Sequence, residues 1–190
     1  MTKLILFFSL FVSLNSYSQM VHFQMPMFSI DTSECNKMNV NYQKEGLWVE
    51  DNLACLIFGF YKQGKKEGIF RSYDLIDVNN RYLSNITVYK NDKEIGPSQF
   101  FEKDGLPSMI VDQISSVIRF KHQANLLGYN INDCNEGYVR IFNKDGSLER
   151  EGWMIFFDDM ESDEVQEVGT WKIYEKNGHI REENYDTNIR

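Results

Sequence analysis

Beyond residue 44 the chain is written in short runs where apolar and polar residues alternate, each ending in a polar turn closed by glycine. Alternation with a period of two marks a half-buried strand, and Asp-Gly or Asn-Gly between two such runs marks a hairpin. The clearest case is Gly169-Thr170-Trp171-Lys172-Ile173-Tyr174-Glu175-Lys176-Asn177-Gly178-His179-Ile180. Aligned on its leading glycine, the same layout runs from Gly137 to Gly146 and from Gly96 to Gly105, with shorter copies opening at Gly68 and Gly46. The sixth position is aromatic in four of the five copies, as Tyr73, Phe101, Phe142 and Tyr174; the third holds Trp48, Phe70 and Trp171.

A second block joins one unit to the next. Tyr61-Lys62-Gln63-Gly64-Lys65-Lys66-Glu67-Gly68 matches Tyr89-Lys90-Asn91-Asp92-Lys93-Glu94-Ile95-Gly96 in its tyrosine, two aligned lysines and final glycine. Gly64, Gly105, Gly146 and Gly178 are the predicted turn glycines, at positions wanting positive φ. Arg81–Lys90 reads as a strand. Leu148–Phe157 reads as a longer one, with Trp153, Ile155 and Phe157 on one face and Met154 and Phe156 on the other. Leu53–Tyr61 is apolar on both parities, which fits a strand buried on both faces. Met109–Asn130 suits either one face of a helix or a strand; the hairpin context favours strands. Unit starts are 22, 28, 41 and 32 residues apart, so turns are fixed while the stretches between them vary.

The first 18 residues differ in kind. Lys3, the apolar run Leu4–Phe8 with Leu10, Phe11 and Val12, and the small residues of Ser16-Tyr17-Ser18 have the order of a secretory signal peptide cut near Ser18/Gln19. The run is shorter than the roughly 20 apolar residues of a membrane span. The predicted organisation is therefore a signal peptide over 1–18, an N-terminal segment or linker over 19–43, and an all-β hairpin-repeat domain over 44–190. The middle segment, rich in methionine and phenylalanine, is either a first strand covering the edge of the array or a linker. Export to a periplasmic, cell-surface or secreted location follows.

Charge and cysteine content narrow the partners. The chain carries a net charge of −8, and residues 1–18 hold Lys3 and no acid, so the remainder carries −9. Such a surface argues against nucleic acid or anionic lipid, whose phosphates need basic clusters. Export permits a disulfide. Cys55 reads as a core residue, and Cys35 and Cys134, both in polar segments, are the pair a bridge would join. No pair has metal-site spacing.

The pattern Tyr-Lys-x-Gly-Lys-x-x-Gly-x-Trp/Phe-x-x-Tyr-(three residues)-Gly covers most of residues 44–186 in about five copies and resembles the MORN-type repeat. It is most similar to the bacterial variant in proteins labelled as toxin–antitoxin system antitoxin components. The resemblance implies an elongated antiparallel β-meander with one hairpin per repeat, used in eukaryotic relatives for membrane or protein docking. Ser98 and Val139 depart from it at the third position, and Cys55 and Asp77 at the turn glycine.

Catalytic chemistry leaves no comparable trace. His22, His122 and His179 stand apart, and there is no Gly-x-Ser-x-Gly elbow or phosphate-cradling glycine loop. The acidic run Asp158–Glu164 lacks the register of a calcium loop and reads as a solvated hairpin. No cofactor or metal is called for. The sequence thus points to an exported, non-catalytic module that binds a protein or cell-envelope component. The alternatives are a hydrolase with an unrecognised site, and an antitoxin- or immunity-like binder. The rings Tyr73, Phe101, Phe142 and Tyr174 are expected on one face, as a binding row if that face is open and as core if it is closed. If it is closed, the fourth-position row of Arg71, Gln99, Arg140 and Lys172 is left as the binding surface. Intact-mass measurement of exported protein should give a chain lacking residues 1–18; retention of Leu4–Leu14 would refute the cleavage.

Overall fold

The computed structural model describes residues 35–51, 55–77, 80–126, 128, 130–157 and 165–185. The expected signal peptide over 1–18, most of the 19–43 segment and the acidic run 158–164 lie outside them. Within them the chain is all-β: one open antiparallel sheet of 12 strands, almost all following sequence order. β1 (Lys37–Met38), β2 (Lys44–Asp51), β3 (Cys55–Lys62), β4 (Lys65–Asp77) and β5 (Asn80–Lys90) form the first half. β6 (Lys93–Glu94) and β7 (Ser98–Phe101) both pair with β5, separated by Gly96 and Pro97. β8 (Pro107–Ser115), β9 (Cys134–Phe142), β10 (Leu148–Phe157), β11 (Val165–Tyr174) and β12 (Ile180–Asn184) complete it.

Turn chemistry explains the folding-back. Lys103-Asp104-Gly105, Lys144-Asp145-Gly146 and Lys176-Asn177-Gly178 are three-residue loops with one geometry, each glycine at φ between 80° and 85°. In each, the Asp or Asn oxygen accepts from the backbone N–H two residues on, at Leu106, Ser147 and His179. That bond is made within the turn itself and needs no packing from elsewhere in the chain. The linking blocks use two-residue loops, Gln63-Gly64 and Asn91-Asp92, with positive φ at both positions. This mirror-image turn matches the right-handed twist of the strands it joins.

The leading glycines do something else. Phe58 pairs with Arg71 and Phe60 with Glu67, so Gly59 alone faces three residues, Gly68 to Phe70. Likewise Gly152 alone faces Gly169 to Trp171. Gly68 and Gly169 take positive φ at these bulges. Each bulge lays an aromatic ring over the bare glycine of the neighbouring strand: a Cβ on Gly59 would stand 2.0 Å from Phe70, and one on Gly152 would stand 2.4 Å from Trp171.

These rings lie on the core face. Direct cross-strand partners share a face, and the registers place Tyr61, Phe70, Thr87, Ser98, Val111, Val139, Met154 and Trp171 together, all buried. Ser98, Val139 and Trp171 are 0% exposed. The third position is therefore a core position even where the aromatic is missing.

Among the described residues the opposite face is covered only at one end. Between β8 and β9 the chain crosses over it, through α1 (Lys121–Leu126) and a 3₁₀ turn at Ile131–Asp133. Ile118 and Ala124 pack there on Cys134, Ile155 and Val168. Glu136, fully buried, accepts from the backbone N–H of Arg119 at 2.6 Å, and the Arg119 guanidinium stands 3.1 Å from its other oxygen. A buried carboxylate that accepts from a backbone N–H and faces a guanidinium fastens the two segments it joins, so this contact pins the crossover to β9.

Three expectations are corrected. Residues 109–130 are a strand only to Ser115, because the crossover has to leave the sheet to reach its seat on Ile155. β3 is not buried on both faces: Leu56, Ile57 and Phe58 are half-buried and Phe60 is exposed, since among the described residues no second layer lies over it. Cys35 and Cys134 form no disulfide. Six strands separate β1 from β9, on the order of 30 Å at about 4.8 Å per strand, where a bridge needs Cα atoms within about 7 Å.

Gly59→Ala should cost about 1–3 kcal/mol by overpacking against Phe70, although alanine normally improves a strand glycine. In a Phe70→Ala background the same change should cost almost nothing. Denaturant melts of the three variants check this, and an equal cost in both backgrounds would refute it.

Candidate functional site

The fourth position of every repeat falls on one line. Val49 pairs with Phe58, Phe58 with Arg71, Arg71 with Ile86, and Ile86 with Gln99. Gln99 pairs with Ile110, Ile110 with Arg140, Arg140 with Glu151, Glu151 with Lys172, and Lys172 with Glu182. This cross-strand row runs unbroken from β2 to β12 on the face opposite the core. Val49, Arg71, Gln99, Arg140 and Lys172 occur on every second strand, although the sequence intervals between them are unequal.

The sixth-position rings share that face, two residues further along their strands. Phe101, Phe142 and Tyr174 end their strands beside Pro107, Leu148 and Ile180, and Tyr73 stands within β4 beside Leu83. All four are half-buried. They are neither a bare row nor a sealed core: Tyr73 packs edge-on against Phe58 at 5.6 Å between centroids, and the Tyr174 hydroxyl donates to Glu151 at 2.8 Å. The third-position rings lie on the other side. Phe70 and Trp171 are buried and Trp48 is half-buried.

The densest polar-aromatic group on the open face is centred on Glu151. Tyr138 and Tyr174 both hydrogen-bond its carboxylate, and the Lys172 ammonium lies 3.8 Å away. Arg140, the next residue in the row, is ion-paired with Asp112. Trp153 packs edge-on to Tyr138 at 5.4 Å, and the Arg119 guanidinium sits 4.3 Å over the Trp153 ring. Burial, then the charge of Glu151, pushes the Tyr138 phenol up to about 12; Tyr174 is raised chiefly by its hydrogen bond to Glu151. Tyr138, Glu151 and Trp153 escape the repeat pattern because they occupy different unit positions. Only strand pairing brings them together.

The core face has its own polar device. Trp48, Tyr61, Phe70 and Tyr89 form a chain of edge-to-face contacts at 5.1–5.9 Å. Lys44 lies over the first pair of rings, at 4.6 Å from each, and Lys66 over the second, at 5.3 and 4.7 Å. A lysine whose methylene stem covers apolar surface while its ammonium meets ring faces can roof an aromatic stack that has no second layer. Lys44 and Lys66 each stand four residues before the ring they cover, a spacing that could have been read from the sequence.

His122 and His179 are exposed, the first on α1 and the second in the loop before β12. Among the described residues no group of three or more His, Cys, Asp or Glu is placed to hold a metal, and no helix is long and apolar enough to cross a membrane. No protein-family model, curated protein or solved structure matches the chain.

Tyr89, Tyr138 and Tyr185 are each raised to about 12 from 10, mainly by burial. Folded protein holds these protons more tightly than unfolded chain, so their stabilisation is complete below pH 10 and lost as pH rises through 12. Urea midpoints should hold up to about pH 9.5 and fall steadily above it, with phenolate absorbance rising late; phenols titrating near 10 with no loss of stability would contradict the burial.

Proposed function

We propose that the chain is an exported, non-catalytic docking module, built of divergent MORN-like repeats, whose open face binds another protein or a cell-envelope component. The observation that carries the proposal is the unbroken cross-strand row from Val49 to Glu182. Five units of unequal sequence length deliver the same unit position to one line, on the face opposite Phe70, Val139 and Trp171. A rigid sheet that repeats a side-chain position at constant spacing suits an extended partner, as in other repeat proteins. The half-buried rings supply preorganised apolar contact, and Arg140, Glu151 and Lys172 supply direction and selectivity. Arginine at the centre of such a surface commonly dominates binding energy.

The experiment is capture from a cell-envelope extract with the purified mature chain, compared with Arg140→Glu/Lys172→Glu and with a turn control, Lys176→Glu. Capture of the same partner should fall by roughly tenfold or more in the double variant, on the scale of a binding hot spot. It should persist in the control, with both melting temperatures near that of the parent. Equal capture by all three would refute the docking face.

A further inference from the structure

Three turns stand side by side at one edge of the sheet: the loop 40–42 between β1 and β2, Gln63-Gly64 between β3 and β4, and Asn91-Asp92 between β5 and β6. The second and third are tied to the strand beside them in the same way. The Gly64 N–H donates to the Lys44 carbonyl at 2.9 Å, and the Gln63 N–H to the Glu45 carboxylate at 2.8 Å. One hairpin on, the Asp92 N–H donates to the Lys66 carbonyl at 3.1 Å, and the Asn91 N–H to the Glu67 carboxylate at 3.1 Å. Between the three turns lies an open notch of about 670 Å³, a size common to small-ligand sites. All eight side chains that line it are polar. Among the described residues, the side chains of Asn41, Gln63 and Asn91 make no hydrogen bond and the ammoniums of Lys62 and Lys65 no ion pair. Those two lysines are direct cross-strand partners. Like charges directly opposite each other destabilise a strand pair. The same opposition recurs at the next turn, between Lys90 and Lys93. On a chain of net charge −8, cations held face to face without an acid beside them find their counter-charge outside the chain.

We propose that this notch binds an acidic saccharide, a sugar oligomer that carries carboxylates. The lining selects that class. It holds no aromatic, aliphatic or arginine side chain, the anchors around which protein interfaces are centred. Two cations with no ring to stack a base fall short of a nucleic-acid site, which depends on many phosphate contacts and on stacking. A primary amide both donates and accepts, and so does a sugar hydroxyl. Three unengaged amides around a pair of ammoniums therefore suit a ligand with several hydroxyls and a carboxylate. Lys62 and Lys65 take the carboxylate through charge-assisted hydrogen bonds, which relieves their mutual repulsion. Asn41, Gln63 and Asn91 read the hydroxyls, and the Glu67 oxygen not used by Asn91 accepts from one of them. The laced turns hold this arrangement before the ligand arrives, which lowers the cost of ordering it.

This site goes beyond the docking role and shares no residue with the row from Val49 to Glu182. It is tested by titrating the purified chain with trimers of galacturonate, mannuronate and guluronate at low salt, following the side-chain amide resonances of Asn41, Gln63 and Asn91. At least one trimer should shift them saturably, and its methyl ester should bind tenfold or more weakly. Lys65→Glu should abolish the binding while raising the melting temperature, because an opposite-charge pair replaces a like-charge one. Lys62→Gln/Lys65→Gln should weaken it by tenfold or more with the melting temperature unchanged or higher. Absence of a saturable shift with all three trimers would overturn the proposal, as would equal binding of the ester. So would the same shifts from inorganic phosphate alone at equal concentration, or undiminished binding by Lys65→Glu.

Discussion

The structure depends on one steric relation, an aromatic ring laid flat over a glycine in the adjacent strand. Among the described residues no helix or second sheet lies over these rings, so they find cover within their own face. Phe70 over Gly59 and Trp171 over Gly152 solve this in the same way at opposite ends of the array. The positive-φ glycine that opens each of these units makes the bulge that swings the ring across. Where the third position is Ser98 or Val139, no ring needs room, and the side chain is buried directly against Val111.

From that relation follows a division of labour between the faces. Aromatic stacks, roofed by Lys44 and Lys66, and the cluster around Val111, Val139, Met154 and Trp171 hold one side together. The other side is freed from that duty along most of its length. It can therefore carry charged and half-buried aromatic side chains in register, the composition expected of a surface that meets a partner. The crossover pinned by Glu136 is the exception, closing the open face over the Cys134, Ile155 and Val168 end of β9–β11 and leaving the Arg140–Glu151–Lys172 row beyond it.

Much of this was legible in the chain. Alternation located β5 and β10 nearly to the residue, and Asp-Gly and Asn-Gly located three hairpin loops, because those signals act between neighbours. Placing Trp171 and Tyr174 on opposite faces needed only the pleat. The helix at Lys121–Leu126 was not legible: of its six residues only Ala124 is buried, and its place is set by Glu136 and Ile155, contacts made far along the chain. Pairing Cys35 with Cys134 failed for a similar reason, since composition around a cysteine says nothing about which strands separate it from another. Gly59 and Gly152 were overlooked although each is an isolated glycine inside a strand pattern, a local sign of close approach. The Glu151 cluster stayed hidden because Tyr138, Glu151 and Tyr174 belong to three different strands.

The placement of the fourth position on every second strand has a consequence for how such a protein could change. The distance between equivalent side chains is set by two strand spacings, close to 10 Å, and not by the number of residues between them. Insertions such as the crossover between β8 and β9 therefore leave that distance untouched. The array behaves as a ruler: adding or losing a unit alters its length and never its graduation. Any partner that presents groups at that interval would remain in step with the sheet across changes in repeat number.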